Sequence, residues 1–201
     1  MADSLVAHHP DVSPRLEERA QRAKLLEAMV QVVAEKGYAA ATVADAVRLA
    51  QVSRGTFYEL FDSKQACLAA AYRLGSEVLE ERISVAVRGA ADWREELRLG
   101  LRTYLQTLSA EPRFARVHLL EWEVLGAERE AAIARFARRY GATFARSGRR
   151  PVPPDDALFA LAAGIDQLVR ARIRAGADVT DLEDTLMGCA VRLMAEEEPW
   201  T

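Results

Sequence analysis

The sequence contains few of the residues that metal sites and disulfide frameworks require. It holds two cysteines and three histidines in 201 residues. Cys67 and Cys189 are far apart and form no CxxC pair, so we interpret them as two reduced, buried thiols. His8 and His9 lie close to the N-terminus, beside a proline, and we expect them to be solvated rather than bound to a metal ion.

Long hydrophobic runs are also missing. The longest stretch without polar residues is 157–165, far shorter than the ~20 residues that span a bilayer. The first fourteen residues lack both the basic start and the apolar run of a secretory signal. We therefore expect a cytoplasmic protein with no membrane association, and we interpret residues 1–14 as a flexible tail.

Catalytic signatures are absent as well. The sequence has no glycine-rich phosphate loop, no nucleophile motif and no cluster of metal-binding residues. We expect no enzymatic activity, no cofactor and no metal site. The net charge of −3 argues against a general nucleic-acid coat protein, yet residues 15–64 hold eight basic and seven acidic residues, so a local contact with a polyanion is compatible with the charge.

Helical periodicity is present in nearly every segment, and no run alternates in polarity like a strand. The pattern predicts an all-α fold of about nine helices. Gly37 and Gly176 follow two of these segments and are expected to end them in the left-handed conformation. The predicted helices cover 15–36, 42–50, 54–60, 64–87, a stripe from Trp93 to Leu108, a segment from Pro112 through Leu125, a stripe from Ile133 to Phe144, and then 155–175 and 180–196.

Two short helices near the N-terminus are predicted to form a helix-turn-helix. Thr42 and Asp45 make a start that resembles a capping box, with Asp in place of Glu. Gln51 and Val52 then form a tight turn, and Ser53 is a suitable N-cap for the next helix. A longer helix followed by two short ones joined by a three-residue turn is typical of a DNA-binding motif whose second short helix enters the major groove.

The side chains of this motif suit DNA. The guanidinium of Arg54 can bind guanine or phosphate, Gly55 lets the backbone approach closely, and Tyr58 can donate to a phosphate. Thr42 and Lys64 lie at helix starts, where backbone N–H groups favour phosphate oxygens. We predict that DNA is contacted by Thr42, Ser53, Arg54, Gly55, Thr56, Tyr58 and Lys64.

From Arg22 to Tyr72, about a quarter of the chain, the sequence resembles the N-terminal domain of the TetR/AcrR family of transcriptional regulators. Three positions differ from the common family pattern: Gln51 replaces glycine in the turn, Val33 replaces an aromatic residue, and Glu59 follows Tyr58 in place of a neutral ring. The matching pieces, in order, are Leu26-Glu27-Ala28, Ala34-Glu35-Lys36-Gly37-Tyr38, Thr42-Val43, Val52-Ser53-Arg54-Gly55-Thr56-Phe57-Tyr58, Phe61 and Ser63-Lys64.

The resemblance implies a domain plan and a function. Residues 15–63 would form the DNA-binding domain, with the helix-turn-helix at about 42–61, and residues 64–201 would bind an effector and dimerise. We expect a sequence-specific, homodimeric repressor that binds operator double-stranded DNA and is released by a small apolar or amphipathic ligand. The long helix from Lys64 would transmit the effect of the ligand to the DNA-binding domain.

Candidate ligand-binding residues lie on the apolar faces of the middle helices. His118 and Glu121 are unusual there, because a buried carboxylate needs a partner. That partner is His118, an arginine, or a cationic or hydroxyl group of the ligand. Ordinary packing is at least as strong an interpretation for each of the candidates, which are Trp93, Tyr104, Phe114, His118, Glu121, Trp122, Phe136 and Tyr140.

The last two helices carry more apolar residues than a terminal pair needs, and a two-fold four-helix interface would bury them. The residues predicted for this interface are Leu158, Leu161, Ala162, Ile165, Val169, Leu186 and Leu193. Two other classes stay open at this stage. An enzyme would fail to protect a specific DNA segment, and a DNA-binding protein without an effector would fail to gain thermal stability from any small molecule.

Overall fold

The structure is a computed structural model that describes residues 14–148 and 152–195, apart from the side chains at 122, 123, 194 and 195. The predicted N-terminal tail falls outside these residues except for Pro14. Within the described part of the chain, no helix is long and apolar enough to cross a membrane.

The described residues form nine α-helices and no strand, which confirms the predicted all-α fold. A single 3-10 turn, Thr180–Leu182, leads into the last helix. The helices are α1 Pro14–Lys36, α2 Val43–Ala50, α3 Arg54–Leu60, α4 Lys64–Ala86, α5 Trp93–Ala110, α6 Pro112–Leu120, α7 Trp122–Arg146, α8 Asp155–Arg174 and α9 Glu183–Ala195.

Left-handed residues follow three of these helices, where the sequence predicts a stop. Gly37 and Gly176 have φ angles of +76° and +68°, a region that glycine enters without steric cost. Gln51 also adopts this conformation, at φ 56° and ψ 41°. The turn therefore keeps the shape that glycine would give it, at a cost on the order of 1 kcal/mol for the side chain.

The first apolar core joins α1, α2 and α3 to the first turns of α4. Leu25, Met29, Phe57 and Leu68 are fully buried in it. Val117 of α6 and Leu125 of α7 also belong to this core. Helix α1 packs against α6, and α2 and α3 are connected to the C-terminal helices through α1.

The second core lies between the later half of α4 and helices α5, α6, α8 and α9. Its fully buried residues include Leu79, Leu105, Leu119 and Val169. Helices α4 and α6 approach closely at Gly75, where an added Cβ would lie 2.4 Å from Cε2 of Phe114. Helices α4, α6 and α7 each contribute residues to both cores and therefore link them.

The predicted helix from Pro112 through Leu125 is wrong. Helix α6 ends at Leu120, and the chain bends at Glu121, whose φ of −88° and ψ of 43° are not helical. The bend has a packing reason, because Leu119 is buried in the second core and Leu125 in the first. His118 and Glu121 therefore do not share one helix face.

Candidate DNA-binding motif and ligand cavity

The turn between α2 and α3 has the geometry of a helix-turn-helix. Beyond α2, the N–H of Val52 donates to the carbonyl of Val47 at 3.1 Å. Ser53 then caps α3, its Oγ accepting from the N–H of Thr56 at 2.9 Å. These local hydrogen bonds set the angle between the two short helices.

The start of α2 is a capping box, as the sequence predicts. The hydroxyl of Thr42 accepts from the N–H of Asp45, and the Asp45 carboxylate accepts from the N–H of Thr42. Lys36 lies 3.0 Å from the Asp45 carboxylate. The hydrogen bonds from Lys36 and Thr42 lower the pKa of Asp45 to about 2. Asp45 thus stays ionised and holds α1 to α2.

Helix α3 presents a polar face to solvent and an apolar face to the core. Arg54 and Gly55 are exposed, and Tyr58 is 49% exposed. The guanidinium of Arg54 lies 5.6 Å from the centre of the Tyr58 ring. Phe57 is fully buried on the opposite side. The exposed residues of α3 therefore include Arg54, Gly55 and Tyr58, which the sequence predicts for DNA contact, and also Glu59.

The other predicted DNA-contacting side chains have internal partners. The hydroxyls of Ser53 and Thr56 are 2.8 Å apart and bond to each other. Lys64 donates to the carbonyls of Tyr38 and Ala41, both at 2.7 Å. The Lys64 ammonium therefore holds the α1–α2 loop. The backbone N–H groups at the start of α4 can still donate to a phosphate.

An elongated cavity lies between helices α4, α5, α6, α7 and α8. Arg129 and Thr143 line it from opposite ends; they are fourteen residues apart on α7, about 21 Å along the helix axis. Its lining residues are Tyr72, Ile83, Glu96, Leu97, Gly100, Leu101, Tyr104, His118, Arg129, Ala132, Ile133, Phe136, Arg139, Tyr140, Thr143, Ala162, Ile165 and Asp166.

The cavity is long but narrow. Its volume is about 40 Å³, which holds about three waters without rearrangement. A drug-sized or lipid-sized ligand would have to widen it by moving side chains.

The predicted ligand-binding residues divide into three groups. Tyr104, His118, Phe136 and Tyr140 line the cavity. Trp93 packs edge-on against Phe144, and Phe114 packs beside His118, with ring centres 6.4 Å and 4.8 Å apart, so both support the cavity region without lining it. The side chain of Trp122 falls outside the described residues.

Glu121 does not line the cavity, so the prediction of a ligand contact is wrong for it. Its carboxylate accepts from the backbone N–H of Tyr38 at 3.3 Å. Because α6 ends before it, Glu121 points to the loop between α1 and α2 rather than along the His118 face. It connects the helix-turn-helix to the α6–α7 junction.

The sequence did not lead us to predict a buried ion pair that lies at one end of the cavity. Arg129 is 7% exposed and donates to the carboxylate of Asp166 and, at 2.8 Å, to the carbonyl of Leu119. Burial raises the pKa of Asp166, while its hydrogen bond with Arg129 acts in the opposite direction. The sequence does contain a signal for this ion pair, because Arg129 and Asp166 both occur on otherwise apolar helix faces. Asp166 lies one turn after Ala162.

His118 lies at the same end of the cavity and is 6% exposed. Its ring stacks on Tyr72 with centres 4.4 Å apart and planes 8° apart. Burial, and then the charges of Arg129 and Arg135, lower the pKa of His118 to about 3. The imidazole is therefore neutral at pH 7.

This lowered pKa predicts a loss of stability in mild acid. The unfolded chain takes up a proton near pH 6.5, whereas folded His118 resists it down to about pH 3. Stability is thus fully present above pH 6.5 and is lost as pH falls toward 3. Between pH 7 and 5 the free energy of unfolding should fall by about 2 kcal/mol. Urea unfolding of the wild type and of His118→Phe at both pH values measures it, and an equal loss in both proteins would contradict this origin.

The residues predicted for a dimer interface lie inside one protomer. Five of the seven belong to the second core, where Leu161, Ile165, Val169 and Leu186 are buried and Leu193 is half-buried; Leu158 and Ala162 are buried against α7. Ala162 and Ile165 also line the cavity. This prediction is therefore wrong for the six buried residues, because their apolar spacing reflects packing against the protomer's own helices, and it stays a prediction for Leu193.

The outer face of α8 offers a different set of residues. Leu168 is 37% exposed on this helix. On the same side of α8, Ala160, Gly164 and Ala171 are exposed small residues that permit close approach of another helix. We call these four residues the outer α8 face.

Comparisons with known proteins agree with this geometry. Residues 25–71 match the family model of bacterial regulatory proteins of the tetR family. Among curated proteins, none matches the sequence significantly. Solved structures do resemble it. The fatty acid degradation regulator FadR from Bacillus halodurans is 19% identical, with a TM-score of 0.75 over 90% of this chain and 97% of that chain.

Two more structures are comparably similar. FadR from Bacillus subtilis, in complex with stearoyl-CoA, is 20% identical, with a TM-score of 0.75 over 84% of this chain and 97% of that chain. A TetR-like transcriptional regulator from Rhodococcus sp. RHA1 is 20% identical, with a TM-score of 0.70 over 88% and 97%. Residues 25–71 therefore form a tetR-type N-terminal domain, and the chain as a whole has the fold of solved TetR-family transcriptional regulators.

Proposed function

We propose that the protein is a dimeric transcriptional repressor that binds operator DNA through α3 and is released by an elongated apolar or amphipathic ligand. The observation that carries the proposal is that α4 and α6, two helices that line a cavity, pack against α1, the helix that supports the exposed α3. The residues on α3 and in the cavity have chemistry that suits DNA and an apolar ligand.

The DNA-binding half rests on Arg54, Gly55 and Tyr58. They share the exposed face of α3, and Phe57 anchors the opposite face in the core. An arginine at the start of a recognition helix can donate two hydrogen bonds to guanine. Tyr58 lies one turn later and can donate to a phosphate, which positions the helix without reading sequence.

Dimerisation is proposed because one short recognition helix reads too few base pairs for specificity. The outer α8 face supplies an apolar surface for a second copy, with its small residues Ala160, Gly164 and Ala171 beside Leu168. The operator should then be an approximate inverted repeat, since a two-fold dimer presents two recognition helices in opposite orientations.

The ligand half rests on the shape and lining of the cavity. Its middle is walled by Leu101, Ile133, Phe136 and Ile165, which suits an apolar chain or ring system. The Bacillus subtilis relative was solved with stearoyl-CoA, a ligand with a long apolar chain. A chain of this kind could lie along the lining between Arg129 and Thr143 of α7 once side chains move to widen the cavity.

Coupling between the two halves is proposed to run through α6 and its C-terminal junction. His118 lines the cavity, and three residues later Glu121 accepts from the N–H of Tyr38, next to α2. A ligand that displaces α6 would move this contact. To weaken operator binding hundredfold, the ligand must prefer the DNA-incompetent state by about 2.7 kcal/mol.

The DNA contact is tested by Arg54→Ala. If Arg54 reads a base, affinity for the operator should fall by about 1–3 kcal/mol, with relaxed specificity at one position of each half-site. Arg116→Ala is the matched control, because Arg116 is an exposed arginine on α6. Fluorescence anisotropy with operator and scrambled DNA measures both. An equal loss of affinity for operator and scrambled DNA would indicate that Arg54 contacts a phosphate. Unchanged affinity would show that Arg54 does not contact DNA.

The function as a whole is tested by selecting bound sequences from random DNA with the full-length protein. We expect enrichment of one inverted repeat, and an effector should then release the protein from it. Failure to enrich any sequence would contradict the proposal and would favour the alternative that the protein is an enzyme. If a sequence is enriched but no acyl compound stabilises the protein in a thermal-shift screen, the protein would be a regulator without a small-molecule effector.

A further inference from the structure

We infer that the effector carries an anionic head group, a carboxylate or a phosphate, and that this head binds to Arg139 at the protein surface between α4 and α7. This inference rests on the ligand site proposed above and adds the chemical class and the orientation of the ligand. The apolar body of the ligand extends from Arg139 toward Arg129, which lies ten residues earlier on α7, about 15 Å along the helix axis.

A second cavity, of about 60 Å³, lies between α4 and α7 and adjoins the ligand cavity. Ile83, Phe136 and Arg139 line both cavities. The second cavity is also lined by Glu80 and Arg135, whose side chains are 34% and 36% exposed, so it lies at the surface. We call it the side cavity. A ligand can therefore keep a polar head in the side cavity, near solvent, while its apolar body lies in the ligand cavity.

The charges along the two cavities leave one arginine without an acidic partner. Three acidic residues line these cavities in the described part of the chain, and each forms an ion pair with an arginine. These pairs are Asp166–Arg129, Glu96–Arg146 and Glu80–Arg135. Arg139 lines both cavities, yet among the described residues its bonded partner is a hydroxyl and not a carboxylate. The three pairs cancel, so the net charge of the region is positive and is located on Arg139.

Arg139 also has hydrogen-bond donors to spare. Its side chain is half-buried, and one terminal nitrogen donates to the hydroxyl of Ser84 at 3.1 Å. The guanidinium has further N–H donors, so an anion can bind beside Ser84 without displacing it. Arg135 lies one turn earlier on the same face of α7 and bonds to Glu80 through Nε at 2.7 Å. Its terminal nitrogens can donate to the same head group.

Other head groups and the opposite orientation fit less well. A cationic head would be repelled by Arg139, and a neutral hydroxyl would leave this charge without a counterion. At the far end of the ligand cavity, Arg129 is already paired with Asp166. A carboxylate placed there would add a net buried charge, which is costly. An anion is therefore favoured at Arg139, and the apolar part of the ligand at the far end.

The test compares four probes with the same chain and different heads: decanoate, decyl phosphate, decanol and decyltrimethylammonium. Isothermal titration calorimetry of the full-length protein at pH 8 gives the Kd of each. The better of the two anionic probes should bind at least about tenfold more tightly than the cationic probe, because Arg139 attracts one and repels the other. Comparison of decanoate with decyl phosphate then identifies the head group. Decanol is the neutral reference.

Arg139→Met removes the positive charge and keeps an unbranched side chain. This variant should weaken the better anionic probe at least about tenfold, while an unchanged Kd for decanol shows that the cavity is intact. Arg139→Gln, which keeps a donor but no charge, gives the same comparison if the methionine variant is unstable. Arg138→Met is the matched control, because Arg138 is the neighbouring arginine, is exposed and lines neither cavity. It should leave all four Kd values unchanged.

Three results would overturn the inference: equal affinity for anionic and cationic probes, an anionic affinity that survives loss of the Arg139 charge, or an equal loss in Arg138→Met. If decanol binds and one of these results is found, the proposed ligand site stands and only the anionic head group is wrong. If none of the four probes binds, the ligand half of the proposed function fails, and this inference with it.

Discussion

Replacing Arg129 by methionine is expected to lower the free energy of unfolding by about 3–5 kcal/mol, since removing one partner of a buried ion pair leaves an uncompensated charge. Arg129 is 7% exposed and bonds to Asp166 and to the carbonyl of Leu119. Methionine has a similar length and no charge, so the loss measures electrostatics more than volume. Urea unfolding at pH 7 gives the value.

Two further variants identify the cause. The double variant Arg129→Met with Asp166→Leu should recover most of the lost stability, because neither charge is left in the core. Arg138→Met, at an exposed position of the same helix, should change stability by no more than about 0.5 kcal/mol. Without Arg129 the pKa of Asp166 rises further, so the single variant should lose less stability at pH 5 than at pH 7. A single variant as stable as the wild type would contradict the role of the pair.

Leu168→Glu is expected to split the dimer and to abolish specific operator binding at submicromolar concentration. Leu168 is 37% exposed on the outer α8 face. In a two-fold interface the substitution places one new carboxylate on each protomer in an apolar contact, where desolvation is costly. We expect at least a hundredfold weaker dimer, which is about 2.7 kcal/mol. Analytical ultracentrifugation across protein concentrations, with anisotropy on the operator, measures both effects.

Leu74→Glu is the matched control for this experiment. Leu74 is 46% exposed on α4, so the same substitution there tests whether added negative charge alone causes the effect. It should leave the dimer and operator binding intact. If Leu168→Glu still sediments as a dimer, the interface does not lie on the outer α8 face. If the wild type is monomeric at micromolar concentration, the proposed dimer is wrong.

The sequence by itself determined the helices and the turn of the DNA-binding motif. The Thr42–Asp45 box, the Ser53 cap and the left-handed Gly37 are interactions between residues at most a few positions apart. Such short-range geometry is encoded in residue type and spacing. The same holds for Phe57, whose inward direction follows from helical periodicity.

The partners of the polar side chains depended on the tertiary structure. Lys64 was predicted at the DNA surface, yet it donates to the carbonyls of Tyr38 and Ala41, more than twenty residues away. Glu121 was predicted in the ligand site, yet it accepts from Tyr38. Residue spacing shows that a buried charge needs a partner but does not show which distant segment supplies it.

The role of each apolar face was also decided by tertiary packing. Periodicity found the stripe of Leu161, Ile165 and Val169 correctly, but a stripe that packs within a protomer has the same spacing as one that packs against a second copy. The structure buries this stripe and leaves Phe159 and Leu168 exposed. Local chemistry therefore determined which segments are helical. Only long-range packing decided that one predicted helix breaks at Glu121 and which helix faces meet, because both depend on how the described helices fill one volume.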